Sequence, residues 1–193
     1  MISRVLSIPG AFQLQQRLCN NYENVSAEFS DYLAKGPLRI LDVGCSTGVC
    51  GQEVFDTARD EYTGIDITEH YIEYAKRKYP GGSYMTMDGR SLSFADESFD
   101  VVSFIGVLHH MDDDTARRSL AEARRVVRRS GVVIIAEPVF TPNSLLSNIF
   151  LSLDRGKFIR ESGQYEQLVD KFRIERRRYF RFSLHRFISI VAR

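Results

Sequence analysis

The apolar positions fall into short blocks whose spacing changes along the chain. Over residues 11–34, Phe12, Leu14, Leu18, Tyr22, Val25, Phe29 and Leu33 recur at loosely helical intervals, which predicts one or two amphipathic helices. Gly36-Pro37 closes that segment. Residues 38–43 form a compact apolar run that ends at Gly44 and reads as a buried strand. A helix is expected over 47–59 and a second strand over 62–67. Thr68 then caps a helix to Tyr79, halted by Pro80-Gly81-Gly82. Residues 83–87 alternate as a third strand, and Phe99–Ile105 is a strongly apolar fourth. Asp112, Asp113 and Asp114 give the next helix an acidic start. It is expected to end at Gly131, with Arg124, Arg125, Arg128 and Arg129 complementing the dipole in its last turns. A fifth strand follows over 132–136.

Strand and helix alternate over 38–136, and the strand runs lack clean polar alternation. Both features imply parallel strands buried on two faces. Two β-rich runs, 172–182 and 185–192, then follow with no helix between them and read as an antiparallel hairpin. The predicted fold is α/β: a Rossmann-like, doubly wound, seven-stranded sheet with a parallel core and a C-terminal antiparallel β-hairpin. Residues 1–193 are expected to form a single domain, with a helical cap over 1–36. A lid-like insertion is expected over 138–170, which is too long for a plain connection.

Composition narrows the class. A chain of 193 residues is suited to one domain. Its formal net charge of +1 gives no general attraction for a polyanion, so nucleic acid is not the expected partner. Cys19, Cys45 and Cys50 form no CxxC pair, which suits reduced thiols in a cytoplasmic protein. They form no metal motif with the four histidines. No apolar run approaches the roughly 18–20 residues of a membrane span.

The most informative segment is Leu41-Asp42-Val43-Gly44-Cys45-Ser46-Thr47-Gly48, a strand entering a glycine turn that opens a helix. In doubly wound sheets ligands bind beyond the carboxyl ends of the strands. A dinucleotide fingerprint needs G-x-G-x-x-G and a P-loop needs G-K-[ST]; neither is present. An acid in the turn repels phosphates and suits an ammonium or sulfonium group.

This segment resembles the first motif of class I S-adenosylmethionine-dependent methyltransferases, [DE]-x-G-x-G-x-G, with Ser46 in place of the middle glycine. Further on, 93–102 (SFADESFDVV) resembles the LPFxDxSFDVV stretch of type 11, ubiquinone/menaquinone-biosynthesis-like methyltransferases. Leu108-His109-His110-Met111-Asp112 resembles their LHHxxD segment. The resemblance covers about residues 38–136. It implies S-adenosylmethionine as cofactor and S-adenosylhomocysteine as product. Asp42, Gly44, Cys45 and Gly48 would form the cofactor turn. Asp66 would bond the ribose hydroxyls, a role its two carboxylate oxygens suit. Ile67 would pack on the adenine, Asp88 and Gly89 would read its edge, and Ile105 with Gly106 would face the methionine part.

His109 and His110 follow the fourth strand on the same rim. One of them is expected to be a general base for a hydroxyl acceptor; alternatively one packs locally while the other shapes the pocket. Arg155, Lys157 and Arg160 are candidates for an anionic substrate, against a solvated basic turn. Arg176, Arg177 and Arg178 alternate across a strand and are expected to block further pairing at a sheet edge. The implied function is methyl transfer to an oxygen, nitrogen or carbon of a small molecule, such as a glycan- or natural-product-pathway intermediate. Two alternatives stand beside it. One is a nucleic-acid or protein methyltransferase, disfavoured because Phe104-Ile105-Gly106-Val107 replaces the [DN]-P-P-[YF] tetrad. The other is a non-catalytic partner subunit of the same fold. Oligomeric state is not legible.

Overall fold

The strand runs assemble into one sheet with the order β3-β2-β1-β4-β5-β7-β6. The computed structural model describes residues 9–10, 21–140, 156–182 and 185–193. The elements are α1 (Tyr22–Leu33), β1 (Arg39–Val43), α2 (Val49–Val54), β2 (Glu61–Asp66), α3 (Glu69–Lys78) and β3 (Ser83–Thr86). β4 (Phe99–Ile105), a 3₁₀ turn (Leu108–His110), α4 (Asp113–Val126), β5 (Val127–Pro138), α5 (Ser162–Leu168), β6 (Ile174–Phe182) and β7 (His185–Ala192) complete the set. Strands β1 to β5 pair in parallel, and β7 pairs antiparallel with both β5 and β6. This is the predicted α/β architecture with its C-terminal hairpin.

Alternate residues of each strand feed two separate cores, which is why the runs are apolar throughout. One face carries Leu41, Val43, Val102, Phe104, Val133, Ile135 and Ile188 against Ala116, Leu120 and Ala123 of α4 and Tyr165 and Leu168 of α5. The other carries Ile40, Val101, Ile134, Ala136 and Val191. There they meet Val25 and Phe29 of α1, Val49 of α2, and Ile72 and Ala75 of α3. Arg176 ties α1 to the sheet edge: its guanidinium meets Glu28 and Asp31 and lies 5.0 Å from the Tyr32 ring. Arg177 faces the other way, onto Glu166 of α5.

Two helices end earlier than expected. The segment 47–59 is helical only over Val49–Val54. Phe55 is extended, and Asp60 then turns back to accept from Leu38 N at 3.0 Å. The helix begun by Asp112 stops at Val126, not Gly131. Val127 pairs with Phe99, so the chain passes directly into β5. Arg128 and Arg129 therefore lie on a strand and pair with Asp100 and Glu97. Gly131 is a close backbone approach: a Cβ there would sit 2.6 Å from the Asp100 carbonyl oxygen. It lies where the β4–β5 register shifts, the usual context for a strand glycine. Thr68 sits at the N-terminal cap position of α3, but its side chain makes no capping bond. Of the expected cap and lid, residues 1–8, 11–20 and 141–155 lie outside the described residues.

Candidate functional site

The strand order reverses between β1 and β4: β2 lies on one side of β1 and β4 on the other. The turns leaving these two strands form the switch point at which open α/β sheets bind ligands. Gly44 (φ 80°), Gly48 (φ 80°) and Gly106 (φ 65°) all have left-handed backbone. A Cβ on Gly44 would lie 2.3 Å from Val107 Cγ2, so the two turns touch. Gly44 N and Cys45 N both donate to the Ile65 carbonyl, at 2.8 and 2.9 Å, which draws the turn over β2. Ser46 has φ 52°. A non-glycine residue in this region carries a cost of order 1 kcal/mol. Its hydroxyl is buried and makes no hydrogen bond among the described residues.

Asp42 lies beneath the turn. It is 2% exposed and accepts from Tyr62 Oη at 2.8 Å and Ser103 Oγ at 2.7 Å. Burial raises its pKa to about 6 against these two bonds, with the nearby Asp66 charge adding to the rise. Burial also pushes the Tyr62 phenol well up, which keeps it a donor. Asp66, at the end of β2, accepts from Ser46 N at 3.0 Å through one oxygen and from Thr68 N at 2.8 Å through the other. Each carboxylate oxygen has a second lone pair, so the pair can still receive two hydroxyl donors. Ile67 beside it is a large apolar side chain, 71% exposed. Asp88 is paired with Arg90, Nη2 to Oδ2 at 2.6 Å, and the guanidinium holds its carboxyl below the usual range. Gly89 packs closely: a Cβ there would be 3.0 Å from Val43 Cγ1. Cys45 is buried and Ile105 partly so.

The loop after β4 is organised by Glu137, which is 0% exposed. Its Oε1 accepts from Val107 N at 2.8 Å and Leu108 N at 2.7 Å. Its Oε2 accepts from His109 N at 3.3 Å and lies 2.7 Å from His109 Nδ1. His109 is 5% exposed, and Gly156 lies directly against its ring: a Cβ there would be 2.0 Å from Cδ2. His110 is exposed, with its ring 4.1 Å from that of His109. Glu137 was not singled out from the sequence, although a carboxylate directly after the apolar run 132–136 was a visible signal. Tyr62 and Ser103 gave no such signal.

Arg160 is 5% exposed. It donates to the carbonyls of Leu108 (2.8 Å), Met111 (2.7 Å) and Phe158 (3.0 Å) and pairs with Asp113. The structure therefore corrects its expected role: Arg160 holds the histidine turn and presents no free guanidinium to a substrate. Arg155 lies outside the described residues.

A family model described as a methyltransferase domain matches residues 40–131, the stretch that carries β1 to the start of β5 and the turns after β1, β2, β3 and β4. This stretch, just under half of the chain, matches class I S-adenosylmethionine-dependent methyltransferase domains. An O-methyltransferase of Aspergillus nomiae is 38% identical over 106 residues, covering 51% of this chain and 46% of that protein. A demethylmenaquinone methyltransferase of Thermotoga maritima is 31% identical over 113 residues, covering 58% and 48%. The chain thus spans about half the length of the curated relatives it matches. An S-adenosylmethionine-dependent methyltransferase from Leishmania major shares the fold with a TM-score of 0.75 at 13% identity, over 98% of this chain and 77% of that one.

The candidate site fits S-adenosylmethionine on its own geometry. Three positive-φ glycines leave backbone open to close approach, Asp66 retains acceptor capacity, and Ile67 offers an apolar face. No helix among the described residues is long and apolar enough to cross a membrane.

Proposed function

We propose that the protein transfers the methyl group of S-adenosylmethionine to a hydroxyl oxygen of a small molecule. The observation that carries this reading is the meeting of the Gly44 and Gly106 turns, with Asp66 on one side and the histidine turn on the other. Asp66 would hold the ribose, Ile67 the adenine face, and the backbone at Gly44, Cys45, Gly48 and Ile105 the methionine part. Asp42 supports that turn from below. Gly89 and Asp88 border the adenine position, and Asp88 has Arg90 to displace. The cofactor supplies an electrophilic methyl on a cationic sulfur, so the protein's share is alignment and proton handling.

Two histidines divide that share. Glu137 fixes His109 with Nδ1–H as donor, and its bonds to three backbone amides set the height of the turn. His109 is the positioning residue and His110, exposed beside it, the general base. As the acceptor oxygen takes the methyl group, its proton passes to the His110 imidazole, the side-chain type that most often serves as a general base. The O-methyltransferases among the relatives support an oxygen acceptor.

The test has two stages. Calorimetric titration with S-adenosylhomocysteine is expected to show micromolar binding, weakened at least tenfold in Asp66→Ala, with NADH inert. S-adenosylhomocysteine release is then followed over a panel of phenol, carboxylate and amine acceptors. Turnover on hydroxyl acceptors that falls about a hundredfold in His110→Asn supports the reading; turnover confined to amines, or equal in the variant, rejects it.

A further inference from the structure

The last 23 residues, 171–193, carry eight lysines and arginines against one glutamate, Glu175, whereas the whole chain is net +1. This segment is therefore net +7 and the remainder net −6. Most of its arginines have acidic partners: Arg173 and Arg193 meet Glu175, Arg176 meets Glu28 and Asp31, and Arg177 meets Glu166. Arg181 and Arg186 are different. They are exposed and stand directly opposite each other across β6 and β7. Among the described residues no carboxylate pairs with either. Like charges placed opposite on neighbouring strands repel, so the arrangement favours an anion between them.

Edge protection does not account for the pair. β6 is the edge strand, and Arg178 already leaves an exposed charge there. Arg186 lies on β7, between β5 and β6, where there is no edge to block. Its guanidinium is also pre-set: it lies 4.1 Å from the centroid of the Tyr179 ring, which is 39% exposed. A planar guanidinium held on a ring keeps its donor edge outward, the geometry that binds phosphate oxygens in pairs. The pair's position is equally specific. Val139 N donates to the Arg186 carbonyl at 3.0 Å, just beyond the carboxyl end of β5, on the rim that carries the β4 turn. Phe140, the next residue, is 39% exposed.

We infer that Arg181 and Arg186, with Tyr179 beneath, form a binding site for a phosphate-type anion at this corner of the sheet. The phosphate belongs either to a small molecule reaching along the rim or to a lipid headgroup. The inference does not depend on the methyl acceptor.

The experiment titrates the full chain with inorganic phosphate, following the arginine Nε–H resonances. Wild type is compared with Arg181→Gln/Arg186→Gln and with Arg118→Gln/Arg124→Gln, which removes the same charge from α4. The expected result is at least tenfold weaker phosphate binding in the hairpin variant alone. Arg186→Lys, which keeps charge but not the planar fork, is expected to fall between. Cosedimentation with phosphatidylcholine vesicles, with and without one third phosphatidylglycerol, separates the sources. Salt-sensitive binding to the anionic vesicles, lost in the hairpin variant, assigns a headgroup. Phosphate binding without vesicle binding assigns a small phosphorylated molecule. Equal phosphate affinity in the hairpin and α4 variants, or no binding by wild type, overturns the site. Unchanged unfolding midpoints and S-adenosylhomocysteine affinity show that the variants are folded.

Discussion

Asp42 is a buried carboxylate beneath the glycine turn, held by two hydroxyl donors. Its position before the glycine turn was plain from the motif. That Tyr62 and Ser103 would enclose it was not, because they come from β2 and β4, 20 and 61 residues away. The enclosure has a measurable consequence. Burial lifts its pKa from 3.8 to about 6, so the folded state binds this proton more tightly than the unfolded state. Its contribution is neutral below pH 4, stability falls as pH rises from 4 to 6, and above pH 6 the full penalty of a buried charge remains. At about 1.4 kcal/mol per pKa unit that penalty is about 3 kcal/mol. Urea unfolding at pH 4.5 and 7.5 should show wild type losing about 2–3 kcal/mol relative to Asp42→Asn over that interval. A difference that does not change with pH would refute the assignment. Ser46 is the complementary case: the sequence flagged it as a departure, and the backbone places it at φ 52°.

At the scale of elements, the 3₁₀ turn Leu108–His110 is too short to stabilise itself. Glu137 satisfies its amides from below and Arg160 its carbonyls from the side. The Arg160 ion pair with Asp113 adds little, because Asp113 is 72% exposed. The carbonyl bonds decide the outcome, since a hydrogen bond from a charged donor to a buried or part-buried carbonyl is worth about 1.5–3 kcal/mol. Arg160→Met is expected to destabilise the protein by about 2–4 kcal/mol in chemical denaturation. A loss under about 0.5 kcal/mol would mean that only the exposed ion pair had mattered. Helix ends were the least legible feature. α4 stops at Val126 because Val127 has a ladder partner in Phe99, and local charge patterning carries no record of that partner.

At the scale of the molecule, the candidate cofactor site is made by turns from β1, β2, β3 and β4, so a ligand there links four strands. Binding to the folded state alone adds about 2.7 kcal/mol at a hundred times the dissociation constant. For a domain of this size that is about 5–10 °C in melting temperature. S-adenosylhomocysteine is expected to give such a rise in a thermal melt and NADH none. A flat response to both would separate this chain from cofactor-binding members of its family.

The sequence by itself determined the strand–helix alternation, the parallel core with an antiparallel hairpin, the glycine turn after β1 and the acids at the end of β2 and just after β3. Each is written in local periodicity or in contiguous motif spacing. Only the tertiary structure decided which histidine is buried, that Glu137 holds it, that Arg160 braces the turn, and that Arg181 faces Arg186. These depend on contacts between residues 5 to 52 positions apart. Strand order and register set such contacts, and no local pattern in the chain specifies them.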